Sequence, residues 1–276
     1  ELEDSRIKRH ILSGIITDME VSDIGAKNTN CRVRYKNQSV LIPISEMGIE
    51  LSNNDNGDEW VRKTQILSKM LGAVVDFIVR GIDPDDIHIV ASRADALRKK
   101  RFEYFTSNEP IFDIEKYDKA EARVIAVSQQ SARLEICGVE LTLPMNELFW
   151  SWVADVREHL SPGDVIQVKI LDESVDEEGN IKLRVSGKEA VKNTAALALK
   201  KIHPGNKCVG VVTHIEENQP VFIRLENGAN AIAHNSRVNT VAYPGDIVTL
   251  AINDINEEKQ TAVGVITNVI KQNKEF

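Results

Sequence analysis

Two stretches of this chain are rich in basic side chains. Five cations (Arg93, Arg98, Lys99, Lys100 and Arg101) fall close together against one acid, Asp95. Four lysines between Lys188 and Lys201 face a single Glu189. Cations at that density neutralise phosphates and release counterions, the main source of nucleic-acid affinity. Solvated faces of helices have the same composition, and both readings stand at this point. The chain as a whole works against phosphate, since 34 Lys and Arg are outnumbered by 42 Asp and Glu for a net charge of −8. Any polyanion contact must therefore be local.

Residue types that carry catalysis do not fall into catalytic patterns. The six histidines (His10, His88, His159, His203, His214 and His234) lack metal-ligand spacing, and only His214 and His234 could approach each other through the fold. Cys31, Cys137 and Cys208 are odd in number and far apart, as expected of reduced thiols in a cytoplasmic protein. Asp83-Pro84-Asp85-Asp86 and Asp176-Glu177-Glu178-Gly179-Asn180 read as turns and lack the spacing of a calcium loop. There is no glycine-rich phosphate loop and no nucleophile elbow. The expectation is a protein that is not an enzyme and needs no cofactor or metal. No apolar run approaches the roughly 18 residues of a membrane helix, so no membrane partner is expected. The charged start, Glu1-Leu2-Glu3-Asp4, is unlike a signal peptide and lacks an initiator Met, so residues are expected to be missing before it.

The elements that carry these residues repeat. A glycine followed by an apolar strand recurs as Gly72-Ala73-Val74-Val75, Gly163-Asp164-Val165-Ile166 and Gly245-Asp246-Ile247-Val248. Copies 91 and 82 residues apart mean three small domains on one chain. Each opens with a strand (Gly14–Thr17, Ala122–Ile125, Gly210–Thr213). A second strand then alternates polar with apolar residues (Arg32–Tyr35, Arg133–Ile136, Phe222–Leu225), the period of a half-buried sheet. A third comes at Val40–Pro43, Leu141–Pro144 and Ala231–His234, then the glycine-led strand, then a fifth at Ile87–Ser92, Ile181–Ser186 and, weakly, Thr261–Val265. The fold class is mostly β: three tandem five-stranded barrels joined by helical linkers. Helices are predicted over Trp60–Leu71 and Asn146–Leu160, and in the linkers Ala94–Phe105 and Lys188–Ile202. The boundaries read 1–10 tail, 11–95 first barrel, 96–113 linker, 114–190 second barrel, 191–203 linker, and 204–276 third barrel with a C-terminal tail.

The stretch Val40-Leu41-Ile42-Pro43-Ile44-Ser45-Glu46-Met47 resembles the Gly-Leu-Val-His-Ile-Ser-Glu-Ile stretch of the S1 RNA-binding domain, the OB-fold module repeated in bacterial ribosomal protein S1. Leu143–Leu148 is similar more loosely, Ala233-His234-Asn235-Ser236 keeps the histidine, and Lys182–Lys188 resembles the family's closing stretch. The resemblance covers most of the chain, and its departures are informative. The family's RNA-facing histidine is replaced by Pro43 and Pro144 and survives as His234. Its second-strand aromatic is replaced by Arg32 and Arg133 and survives as Phe222, while the family's second aromatic is absent, with Asn218 near its place.

The resemblance implies RNA-binding residues at Phe222, Arg224, His234, Arg32, Arg34, Arg133, Lys182, Arg184 and His88, beside the linker cations Arg98, Lys99, Lys100 and Arg101. Phe supplies stacking, whereas Arg can pair with phosphate and also stack on a base. The expected function is non-catalytic binding of single-stranded RNA, such as messenger RNA, in translation at the small ribosomal subunit. Linked modules raise the effective concentration of one another. The alternative is a protein-interaction adaptor of degenerate S1 barrels, its acidic surface docking a basic ribosomal or transcription partner.

Overall fold

The computed structural model describes residues 1–21, 25–51, 57–82, 89–107, 111, 118–177, 180–215, 220–236 and 242–272, without the side chains of 234–236. The predicted strands are all present where described. β1 to β5 (Leu12–Glu20, Asn30–Tyr35, Gln38–Pro43, Val74–Ile82, Ile89–Ser92) close into a barrel in the order β1-β2-β3-β5-β4. β6 to β10 (Lys119–Val127, Ser131–Ile136, Val139–Pro144, Val165–Val175, Ile181–Ser186) form a five-stranded sheet ordered β10-β9-β6-β7-β8. β11 to β15 (Lys207–Ile215, Val221–Leu225, Asn230–Ser236, Ile247–Asn256, Thr261–Lys271) close a further barrel with the same order as the first. The last strand, weak in its sequence pattern, is one of the longest, at 11 residues.

The repeated glycine has a physical cause. Gly72, Gly163 and Gly245 take φ of 89°, 97° and 88°, a left-handed geometry that a side chain resists. There each donates its N–H to a first-strand carbonyl: Gly72 to Ile16 at 2.9 Å, Gly163 to Val124 at 2.8 Å and Gly245 to Val212 at 2.7 Å. Directly after those acceptors every first strand carries a β-bulge against the second, between Ile16 and Asp18, Val124 and Ala126, and Val212 and His214. One turn and one bulge thus recur three times and put each second strand in the same register.

Contacts divide the chain into two units, Glu1–Leu143 with Arg157–Ser186, and Pro144–Val156 with Gly187–Phe276. In the first unit Ile16, Val33, Val40, Ile42, Val75 and Phe77 fill the first barrel, and Ile125 and Ala126 of the second sheet join the same cluster. Each such side chain contributes about 1.5–3 kcal/mol by leaving water. In the second unit Val212, Ile223, Ala231, Val248, Leu250 and Ile266 fill the third barrel.

The predicted helices over 60–71, 146–160 and 188–202 are shorter than the sequence suggests, and a further helix falls in the stretch read as a tail. α1 covers Leu2–Lys8; α2, Glu59–Ser68, is capped by Asp58, which accepts from the N–H groups of Trp60 and Val61. α3, Arg93–Arg101, is capped by Ser92 and runs into a π-turn at Phe102–Thr106. The predicted helix Asn146–Leu160 is a correction: α4 spans only Met145–Leu148, and Phe149 is already extended. Residues 150–152 are held by tertiary bonds instead. The Trp152 N–H donates to Asn230 Oδ1 at 2.8 Å, Asn230 Nδ2 donates to the Trp150 carbonyl at 2.9 Å, and Ser151 Oγ donates to the Gly228 carbonyl at 2.8 Å. These partners replace the i→i−4 ladder that the apolar spacing implied. The second linker is likewise a short turn at Lys188–Ala190 and then α5, Thr194–Leu199, capped by Asn193.

Candidate nucleic-acid interface

The bulge fixes what the outer face of each second strand presents. Arg32 lies opposite Asp18, Arg133 opposite Ala126 and Phe222 opposite His214, so the three positions are structurally equivalent. Thr17 Oγ1 donates to the Arg32 carbonyl at 3.3 Å and Thr213 Oγ1 to the Phe222 carbonyl at 3.2 Å, the same bond in two barrels. Strand alternation sends their neighbours Val33, Leu134 and Ile223 inward, each 0% exposed. Arg34 is exposed and Arg224 half-buried, two residues along on the outward side.

Equivalent positions have different surroundings. Arg32 is ion-paired with Glu20. Arg133 is held by Glu140 Oε2 at 3.1 Å and donates to the Glu50 carbonyl at 2.7 Å. Phe222 instead meets rings: Trp152 edge-on at 5.1 Å and 71°, and His214 tilted at 5.9 Å and 44°. On β10, Lys182 and Arg184 are exposed, with Asp176 3.6 Å from Lys182. His88, Asn218 and Asp83–Asp86 lie outside the described residues, as does the side chain of His234, whose backbone is in β13.

The basic run at 93–101 is split between two tasks. Arg98 stays largely exposed on Asp95 at 3.0 Å, Lys99 donates to the Arg9 carbonyl, and Arg101 donates to the Gly138 carbonyl. Lys100 and Arg93 turn inward. Lys100 Nζ reaches Asp76 at 2.6 Å and Glu135 at 3.1 Å. Arg123 binds both Asp76 oxygens and lies 3.2 Å from Glu135, while Ser13 Oγ donates to Asp76 at 2.6 Å. Arg93, 0% exposed, donates to the Met47 carbonyl at 2.9 Å and to Glu140, with Glu135 at 3.6 Å. The first two barrels therefore share a buried polar network within one unit.

Its charges stabilise one another. Burial alone would raise the Asp76 pKa, but the Arg123 hydrogen bonds and the Lys100 and Arg123 charges hold it well below the carboxylate range. Burial would lower that of Lys100, and Glu135 and Asp76 push it up instead. A charged residue inside the apolar run Val74-Val75-Asp76-Phe77 was the sequence signal for this network, because Asp is almost never buried unpaired. Trp152 had no such signal, since its spacing matched a helix core.

The thiols are not poised to react. Burial pushes Cys31 up to about 12 and Cys137 up to about 11, and raises Cys208 as well. The thiolate is the nucleophile, so Cys31, 0% exposed, should resist a thiol reagent at neutral pH until the chain is denatured. Mass-resolved labelling of native against denatured protein checks this, and rapid native labelling of Cys31 would contradict it.

Residues 113–185, which take in the second sheet up to Val185, match the S1 RNA binding domain family. Within the chain, that stretch is an S1 domain. It is 25% identical over 223 residues to small ribosomal subunit protein bS1 of Chlamydia trachomatis, covering 77% of this chain and 37% of that one. Against bS1 of Pseudomonas aeruginosa it is 24% identical over 212 residues, 72% and 36% of the two chains. A Clostridium acetobutylicum protein named 4-hydroxy-3-methylbut-2-enyl diphosphate reductase is 28% identical over 219 residues, 78% of this chain and 32% of the reductase. The chain thus spans about a third of the length of these relatives.

Proposed function

We propose that this S1-domain chain binds single-stranded RNA without catalysing a reaction on it, in translation beside the small ribosomal subunit. One observation carries the reading: Phe222, at the position of the family's RNA-facing aromatic, stands outward and half-buried between His214 and Trp152. Bases of any sequence have a face to stack, so such a platform binds with little sequence preference. The bS1 relatives support the translational setting. The reductase alignment and that of the Chlamydia bS1 each take in more than three quarters of this chain, so they overlap. A repeated binding module is the simplest thing common to both.

Arg32 and Arg133 favour a second role for the first unit. Their cations are already matched by Glu20 and by Glu140 with the Glu50 carbonyl, so little positive charge is left at those two positions. The first two barrels then serve as the adaptor that docks a basic protein, while the third binds the RNA.

Titrating a labelled unstructured RNA strand at low and moderate salt tests the reading. Binding should weaken steeply as salt rises. Phe222→Ala should lose about 1–3 kcal/mol of affinity, some 5- to 150-fold, with the third barrel still folded. Absence of binding at low salt would leave only the adaptor role.

A further inference from the structure

The ring against Phe222 comes from outside the barrel. Trp152 belongs to the segment after α4, and its backbone is pinned by both ends of the Asn230 side chain, which is only 7% exposed. Ser151 adds a third bond, to the Gly228 carbonyl. Asn230 sits opposite Arg224 in the β12–β13 register, two residues from Phe222 on the same strand pair. The segment is thus fixed directly beside the outward face of β12.

Core packing does not account for this arrangement. Ile223 is 0% exposed and belongs to the cluster that fills the third barrel, whereas Phe222 and Trp152 are outside that cluster and only half-buried. Two half-open rings at 71° make a corner, with the exposed His214 tilted beside it. A planar base laid on one wall of such a corner turns its edge toward the other, the edge-to-face arrangement aromatic groups favour. Lys188 lies 5.6 Å from the neighbouring Trp150 ring, so positive charge adjoins the platform. Rings held in place before binding lose little freedom when a base arrives.

We propose that Trp152 is an RNA-contacting residue, forming with Phe222 and His214 a preformed aromatic corner for an unpaired base. The proposal rests on the single-stranded RNA reading above and adds a wall contributed by the segment between β8 and β9.

Two readouts on the full chain test it: anisotropy of a labelled unstructured oligoribonucleotide, and tryptophan emission titrated with the same strand unlabelled. A base stacking on an indole quenches its emission. Emission should fall with the same midpoint as the anisotropy rise, and Trp152→Phe, which keeps a ring, should abolish the fall while holding affinity within a few-fold. Trp152→Ala should weaken binding about tenfold. Quenching that survives Trp152→Phe, from Trp60 or Trp150, overturns the assignment. So does a Trp152→Ala variant that melts earlier yet binds RNA as tightly, which would make the ring a staple between segment and barrel. A chain that gives no anisotropy rise at all overturns the RNA reading itself and leaves the corner to a protein partner.

Discussion

Asp76→Ala should cost the first unit about 3–5 kcal/mol, because it leaves buried cations without their principal anion. Asp76 is 3% exposed and accepts from Arg123, Lys100 and Ser13. After truncation Lys100 and Arg123, themselves largely buried, would share Glu135, which already faces Arg93. Asp76→Asn keeps the shape and one acceptor but not the charge, so it should lose most of the same amount. The pH dependence has a definite sign. The folded carboxyl is held below its unfolded value near 3.9, so its contribution is complete above that value and disappears as pH falls through the folded one. Denaturant midpoints should therefore fall on acidification below about pH 4 in the unaltered chain, and less steeply in Asp76→Asn. A loss under about 1 kcal/mol in both variants at neutral pH would mean that the network breaks even with its desolvation cost.

The threefold architecture was legible because its devices are local. A glycine before an apolar strand reports a turn that only glycine fills easily, and alternation on the second strand reports which side chains face out. Phe222 and Ile223 separate to the two faces as their period requires. What the sequence did not reveal depends on partners far along the chain. The apolar spacing of Leu148, Phe149, Trp152 and Val153 fits a helix, yet Asn230 and Gly228, about 80 residues away, offer the backbone better bonds. The basic run reads as one surface, but Asp76, Glu135 and Glu140 draw Lys100 and Arg93 inward. Spacing within a run cannot separate cations that meet phosphate from cations that meet a buried carboxylate. That separation governs the site: Arg32, Arg93 and Arg133 are matched within the first unit, while the third barrel's Phe222 stands half-buried beside Trp152 and the exposed His214.

Gly138→Ala should damage the seam between the first two barrels more than its small size suggests. Cys137 and Gly138 are the central residues of the β7–β8 hairpin, with φ of 50° and 86°, the positive values that a two-residue turn requires. A methyl group on Gly138 would stand 2.6 Å from the Leu97 carbonyl oxygen, 2.8 Å from Lys100 Cβ and 3.0 Å from the Arg101 nitrogen, so the turn is pressed against α3. Those obstacles are mostly helix backbone, which cannot rotate aside. Two costs add: about 1–2 kcal/mol for the left-handed backbone and about 1–3 for overpacking, or roughly 2–5 kcal/mol together. Gly72→Ala separates them within the same unit. Its φ is 89°, but the nearest atom to its added carbon, the Pro162 carbonyl oxygen, is 3.7 Å away, so it should show the backbone cost alone. Denaturant unfolding of the two variants then gives the packing cost as their difference. Equal losses would mean that the turn only rests beside α3, and that the buried charges and the shared apolar cluster at Ile125 and Ala126 hold the first two barrels together without it.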